Sequence, residues 1–216
     1  MTDAPVILFA AGSLAEAMGE IARAFEAANA VAVKTTFGPS GIMRERIVDG
    51  APAHVFASAD MRNAQWLAGA GLSGAVVPFA GNALCLIARG GIDLAGRDVL
   101  HILLDPDVRL GTSTPGSDPS GDYTRLMFKR AGALRPGAYE ILRNKALTLT
   151  GGAASELPPA GRNLYAWILE SARCDIFVTY RTNAIKALRE LPELGQLDLP
   201  PKLAVAADYG LTVLKS

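Results

Sequence analysis

Histidine and cysteine are scarce, two of each in 216 residues, and no C-x-x-C or H-x-x-x-H spacing occurs. A zinc or iron centre therefore has almost no ligands to draw on. Net charge is missing as well: 21 Lys and Arg balance 21 Asp and Glu, which leaves no basic field to steer the chain to nucleic acid or an anionic membrane. No apolar run reaches the ~20 residues of a membrane span. The longest candidate, around Val76 to Ala88, is broken by Pro78, Gly81 and Asn82. G-x-x-x-x-G-K-[ST] is absent, and the G-x-G-x-x-G at Gly69 to Gly74 follows the helical stretch Met61 to Ala70 rather than a strand, so ATP and dinucleotides lose their usual cradle. The nucleophile-elbow pattern fails too, because Ala11-Gly12-Ser13-Leu14-Ala15 lacks the flanking glycines. The first residues, Met1 to Pro5, carry neither the basic nor the apolar region of a secretory signal. The expectation is a cytoplasmic protein or one whose signal has been removed.

What is present is core-forming material. Half the residues are hydrophobic and 22 are glycine, enough for a buried core in one large domain or two small lobes. Cys85 and Cys174 each sit in or beside an apolar, strand-like segment and read as buried free thiols, with a single bridge between them as the alternative.

Short apolar or β-branched runs alternate with amphipathic stretches: Val6 to Ala11, Ser13 to Ala28, Val31 to Thr36, Ile42 to Asp49, Val55 to Ala57, Met61 to Ala70. That alternation predicts βαβ units around a mostly parallel sheet. After about Phe79 the pattern restarts. Strands are expected at Ala83 to Ala88, Arg109 to Thr112, Ala146 to Thr150 and Ile176 to Val178, with helices near Gly121 to Ala131, Ala138 to Arg143 and Asn163 to Ser171. The tail, Leu203 to Leu214, reads as further strand interrupted at Tyr209-Gly210.

In open α/β sheets, ligands gather beyond the carboxyl ends of strands, where helix N-termini point their amides. Four such positions offer a neutral hydroxyl: Ser13, Ser40, the Thr112 to Gly121 loop with Ser120, and Tyr180. A serine there is ordinarily a helix cap; the repetition is what points to a ligand. Hydroxyls and amides suit a fully deprotonated oxyanion, whose oxygens all accept. A protonated phosphate would want an acceptor, which Asp118 or Asp122 could supply, although both also fit as first-turn residues. Arg162 offers a guanidinium fork to an oxyanion or carboxylate.

These residues lead to a family. Phe9-Ala10-Ala11-Gly12-Ser13-Leu14, Phe37-Gly38-Pro39-Ser40-Gly41, Gly50-Ala51-Pro52-Ala53-His54-Val55-Phe56-Ala57-Ser58-Ala59-Asp60 and Val178-Thr179-Tyr180-Arg181-Thr182-Asn183-Ala184 resemble the periplasmic molybdate-binding proteins of ABC importers. The resemblance implies an α/β fold of the two-lobed periplasmic binding type (type II), with a tetrahedral oxyanion, molybdate or tungstate, held in the cleft. It places residues 1–80 with 181–216 in one lobe and 81–180 in the other. By position it assigns Ser13 and Ser40 as donors from the first lobe, Tyr180 as a donor near the hinge and Ser120 as a donor through its amide. Arg162 falls where the family has an aliphatic residue. The chain also stops at Ser216, short of the family's C-terminal helices. The resemblance further implies a monomer in the periplasm, its signal removed, with an ABC permease as partner, no cofactor, no cation site, no nucleic acid and no reaction. Two alternatives stand beside it: the same scaffold taking another anion or a small organic acid through Arg162 and the Asp118 loop, or an enzyme with Ser13 or Ser120 as nucleophile.

Overall fold

The computed structural model describes residues 4–92, 94 and 96–215. Two compact units emerge. One comprises the chain up to Gly81, the segment Ser117–Pro119 and the chain from Ala207 onward; the other comprises Asn82–Gly116 and Ser120–Ala206.

The first unit begins with β1 (Val6–Ala11), whose last four residues are buried, as expected of a strand covered on both faces. A 3-10 turn, Gly12–Leu14, leads into α1 (Ala15–Asn29). Leu14, Met18 and Ala22 recur every four residues and are buried, the stripe that lays a helix on a sheet. Then follow β2 (Val33–Gly38), α2 (Ser40–Val48), β3 (Val55–Ser58) and α3 (Met61–Gly69). Strand β1 lies between β2 and β3, parallel to both. A late strand, β9 (Ala206–Val213), closes the order by pairing antiparallel with β3. Phe9, Met43, Ile47, Phe56, Ala64 and Leu67 form a core cluster of this unit. Ser117–Pro119 counts with it, and the Gly41 amide donates to the Ser117 carbonyl at 2.9 Å.

Strand β4 (Val77–Ala88) starts in the first unit and continues into the second. There it pairs antiparallel with β7 (Ile176–Tyr180) and with β8 (Gly195–Asp198). Beyond β7 lie β5 (Leu110–Ser113) and β6 (Leu147–Thr150), mutually parallel, with β5 also parallel to β7. The helices are α4 (Val99–Leu104), α5 (Pro119–Leu134), α6 (Ala138–Lys145), α7 (Leu164–Glu170) and α8 (Arg181–Glu190). The core gathers Cys85, Ile87, Ile168, Leu169, Cys174 and Phe177 with Ala184 and Ala187 of α8. Both cysteines are free and buried.

The structure departs from the sequence expectation in several places, α4, β8 and the early start of β4 among them. The chain returns to the first unit at Ala207 rather than at 181, because α8 packs its alanines into the second core and β8 pairs with β4. Helix α8 itself, absent from that expectation, buries Asn183, Ala184 and Ala187 and packs half-buried Leu188 against the second core. Tyr209-Gly210 does not interrupt β9. Tyr209 is buried, and a Cβ at Gly210 would stand 3.1 Å from Met61 Sδ and 3.2 Å from the Asp60 carbonyl. The glycine there permits close packing within a strand rather than a turn.

Candidate functional site

In the first unit, Ala11 of β1 and Gly38 of β2 are register partners at the ends of neighbouring parallel strands. Ser13 and Ser40 each follow two residues later, so both hydroxyls leave the sheet at the same edge. Ser40 is the first residue of α2, with Pro39 as its cap. Its side chain is fully buried, and its Oγ accepts from the Ala59 amide at 3.0 Å. Ser13 is half-buried, and its Oγ lies 2.8 Å from the phenol oxygen of Tyr209.

The loop that supplies Ala59 is held from below. Asp60, buried, caps α3 by accepting from the Asn63 amide at 2.9 Å, and it also receives Ser58 Oγ at 2.8 Å and both Asn63 side-chain bonds at 3.0 Å. Arg44 donates to Asn63 Oδ1 at 3.0 Å while stacking over Trp66. A buried carboxylate with this many donors is well compensated, and the network fixes the β3–α3 turn against α2.

In the second unit, β5 and β7 run parallel, so Ser113 and Tyr180 mark the same sheet edge. Tyr180 is buried, ends β7 and is the cap residue of α8; its ring meets Tyr123 edge-on at 6.4 Å. Ser120 is buried in the first turn of α5, where its carbonyl accepts from Thr124 Oγ1 at 2.7 Å. Gly121 lets that turn approach β5: a Cβ there would fall 2.6 Å from the Ser113 carbonyl and the Pro115 nitrogen. Asp122 Oδ1 accepts from the Gly116 amide at 3.0 Å, and Ser113 and Thr150 share a hydroxyl bond of 2.9 Å.

Arg162 stands differently. Its Nε donates to Glu190 at 2.7 Å and a terminal nitrogen donates to Glu170 at 2.6 Å. Glu190 also accepts from the Asn163 amide at 2.6 Å, beside the Asn163 cap of α7. The Arg162 bond, with that amide, pushes the Glu190 carboxyl down, while the two carboxylates push the guanidinium up. Its fork is thus committed to a carboxylate pair that ties α7 to α8. Elsewhere in this unit Asp175 receives the Arg109 amide at 2.9 Å, Arg109 Nε at 3.0 Å and Arg89 Nε at 2.7 Å.

Among the described residues no cluster of three or more His, Cys, Asp or Glu could hold a metal, and no helix is long and apolar enough to cross a membrane. His54 Nδ1 accepts from the Ile7 amide at 3.0 Å, while the partners of Ser13 and Ser40 are a phenol and a backbone amide. A serine nucleophile needs an adjacent base; for Ser13, one of the two serines weighed in that role, the partner is the Tyr209 phenol.

A family profile, that of the bacterial extracellular solute-binding proteins, matches residues 6–216. The chain belongs to this family. An uncharacterized protein of Pasteurella multocida is 35% identical over 205 residues, spanning 94% of this chain and 85% of that one. The molybdate-binding protein ModA of Mycobacterium tuberculosis is 33% identical over 150 residues, 66% of this chain and 57% of its own length. Among solved structures, the sulfate-binding protein SubI of Mycobacterium tuberculosis superposes with a TM-score of 0.78 at 20% identity, covering 98% of this chain and 76% of that one. The solute-binding protein described here has the type II periplasmic binding fold. Its sequence pointed to Ser13, Ser40, Ser120 and Tyr180 at strand ends, but Tyr209, the partner of Ser13, was seen only as a break in a strand.

Proposed function

We propose that this solute-binding protein captures a tetrahedral oxyanion, molybdate or tungstate, in the periplasm and delivers it to an ABC permease, acting as a monomer and catalysing no reaction. The observation that carries this reading is the matched pair Ser13 and Ser40. Each stands two residues beyond a register-paired strand end, and each has its Oγ engaged by a partner of its own unit. Ser120, through its amide, and Tyr180 are the donors of the second unit in this reading. Neutral donors suit a dianion without bound protons, since every ligand oxygen then accepts. The likeness to a protein named for molybdate binding supports the choice of anion. Arg162, engaged by Glu170 and Glu190, is left out of the donor set.

The test is calorimetric titration of ligand-stripped protein with molybdate, tungstate, sulfate and phosphate in one buffer. Binding of molybdate and tungstate with weak or absent response to the other two is expected. Tight sulfate binding alone would reassign the anion, and silence from all four would overturn the reading.

A further inference from the structure

Tyr209 heads the largest fully buried side chains among the described residues, at 1% exposure. Its phenol oxygen is 2.8 Å from Ser13 Oγ, across 196 residues of sequence. Either oxygen could donate, and acidity decides between them. A phenol, with a pKa of about 10, is a far stronger acid than an aliphatic alcohol, so the bond is strongest with Tyr209 donating and Ser13 accepting. Ser13 then keeps its own hydrogen for another acceptor, and accepting a bond polarises that O–H further. Ser40 shows the same state without ambiguity, because the Ala59 amide on its Oγ can only donate.

We infer that Tyr209 is a positioning residue that sets Ser13 as a donor to the ligand and thereby favours fully deprotonated anions over protonated ones. The inference rests on Ser13 being a ligand donor. Without the phenol, the Ser13 hydroxyl turns to other acceptors and its donation weakens. A dianion that can only accept loses that bond, whereas a protonated phosphate can offer its own hydrogen to the serine oxygen and loses less.

The experiment titrates wild type, Tyr209→Phe, Ser13→Ala and the double variant with sodium molybdate, sodium sulfate and sodium phosphate at pH 7, weak binding being read by competition. Tyr209→Phe is expected to weaken the preferred dianion about tenfold, Ser13→Ala at least as much, and the double variant no more than Ser13→Ala. The preference for dianion over phosphate narrows in Tyr209→Phe. A packing role alone would weaken all anions equally and multiply with Ser13→Ala; that result, or unchanged affinity in either single variant, overturns the inference. No binding by wild type would instead overturn the functional reading beneath it. A second measurement needs no change at Tyr209. In protein labelled at the tyrosine ring carbon that bears oxygen, the resonance most displaced by Ser13→Ala is expected to move when anion saturates wild type, and its staying fixed also overturns the inference.

Discussion

The Ala59 amide donates to Ser40 Oγ at 3.0 Å, tying the turn after β3 to the first residue of α2. Both groups are buried, so the bond serves the fold before any ligand arrives.

Ser40→Ala is therefore expected to act twice. Stability falls by about 1–3 kcal/mol because a buried amide loses its acceptor, and affinity for the anion falls by a similar amount because a ligand oxygen loses a donor. Tyr180→Phe is expected to show the affinity loss with a smaller effect on melting. Urea unfolding and calorimetric titration on the same samples separate the two, and full affinity in both variants would remove these residues from the site.

Arg162→Ala should leave anion affinity within about twofold, since its guanidinium already serves Glu170 and Glu190 and surface pairs contribute modestly. A small drop in melting temperature is the expected cost. A loss of affinity beyond tenfold would return Arg162 to the ligand and favour a carboxylated or larger anion.

Asp175 predicts a pH dependence. Arg109 and Arg89, by hydrogen bonding and charge, hold its carboxyl well below the usual range, against the opposing effect of burial. The unfolded carboxyl titrates near pH ~4, so the unfolded chain binds more protons below that pH. The stabilisation is complete above pH ~4 and is lost as the pH falls toward the depressed value. Unfolding free energies between pH 5 and pH 2.5 should slope less steeply in Asp175→Asn than in wild type. At neutral pH that variant should be weaker by about 2 kcal/mol. Parallel slopes would contradict the assignment.

Burial pushes both thiols, Cys85 and Cys174, up to about 12, with the nearby Asp198 and Asp175 adding to it. Only thiolate reacts. Alkylation at pH 8 should be negligible in the folded protein and reach two equivalents in denaturant, counted by mass spectrometry; rapid labelling of the native state would show a core that opens.

Elements with a strong period were legible before any coordinates: β1 through α3, and the serines that follow β1 and β2. Helix α8 was not: its fully buried residues are two alanines and an asparagine, with Leu188 only half-buried beside them. The company each site residue keeps was less legible still. Glu190 meets Arg162 from 28 residues away and Tyr209 meets Ser13 from 196, and no local pattern encodes such meetings. Only the strand register that brings β9 beside β3, and β3 beside β1, sets up the second of them.

Strand β7 ends at Tyr180 and α8 begins at Arg181, with no loop residue between. The phenol is thus gripped by a strand on one side and a helix on the other, and its ring is buried. Ordering a mobile side chain on binding costs roughly 0.5–1.5 kcal/mol; a group already immobilised escapes most of that cost. Under the proposed function, an anion reaching this tyrosine would meet a donor with little freedom left to lose, and small differences in ion radius, rather than induced adjustment, would govern how well it is held there.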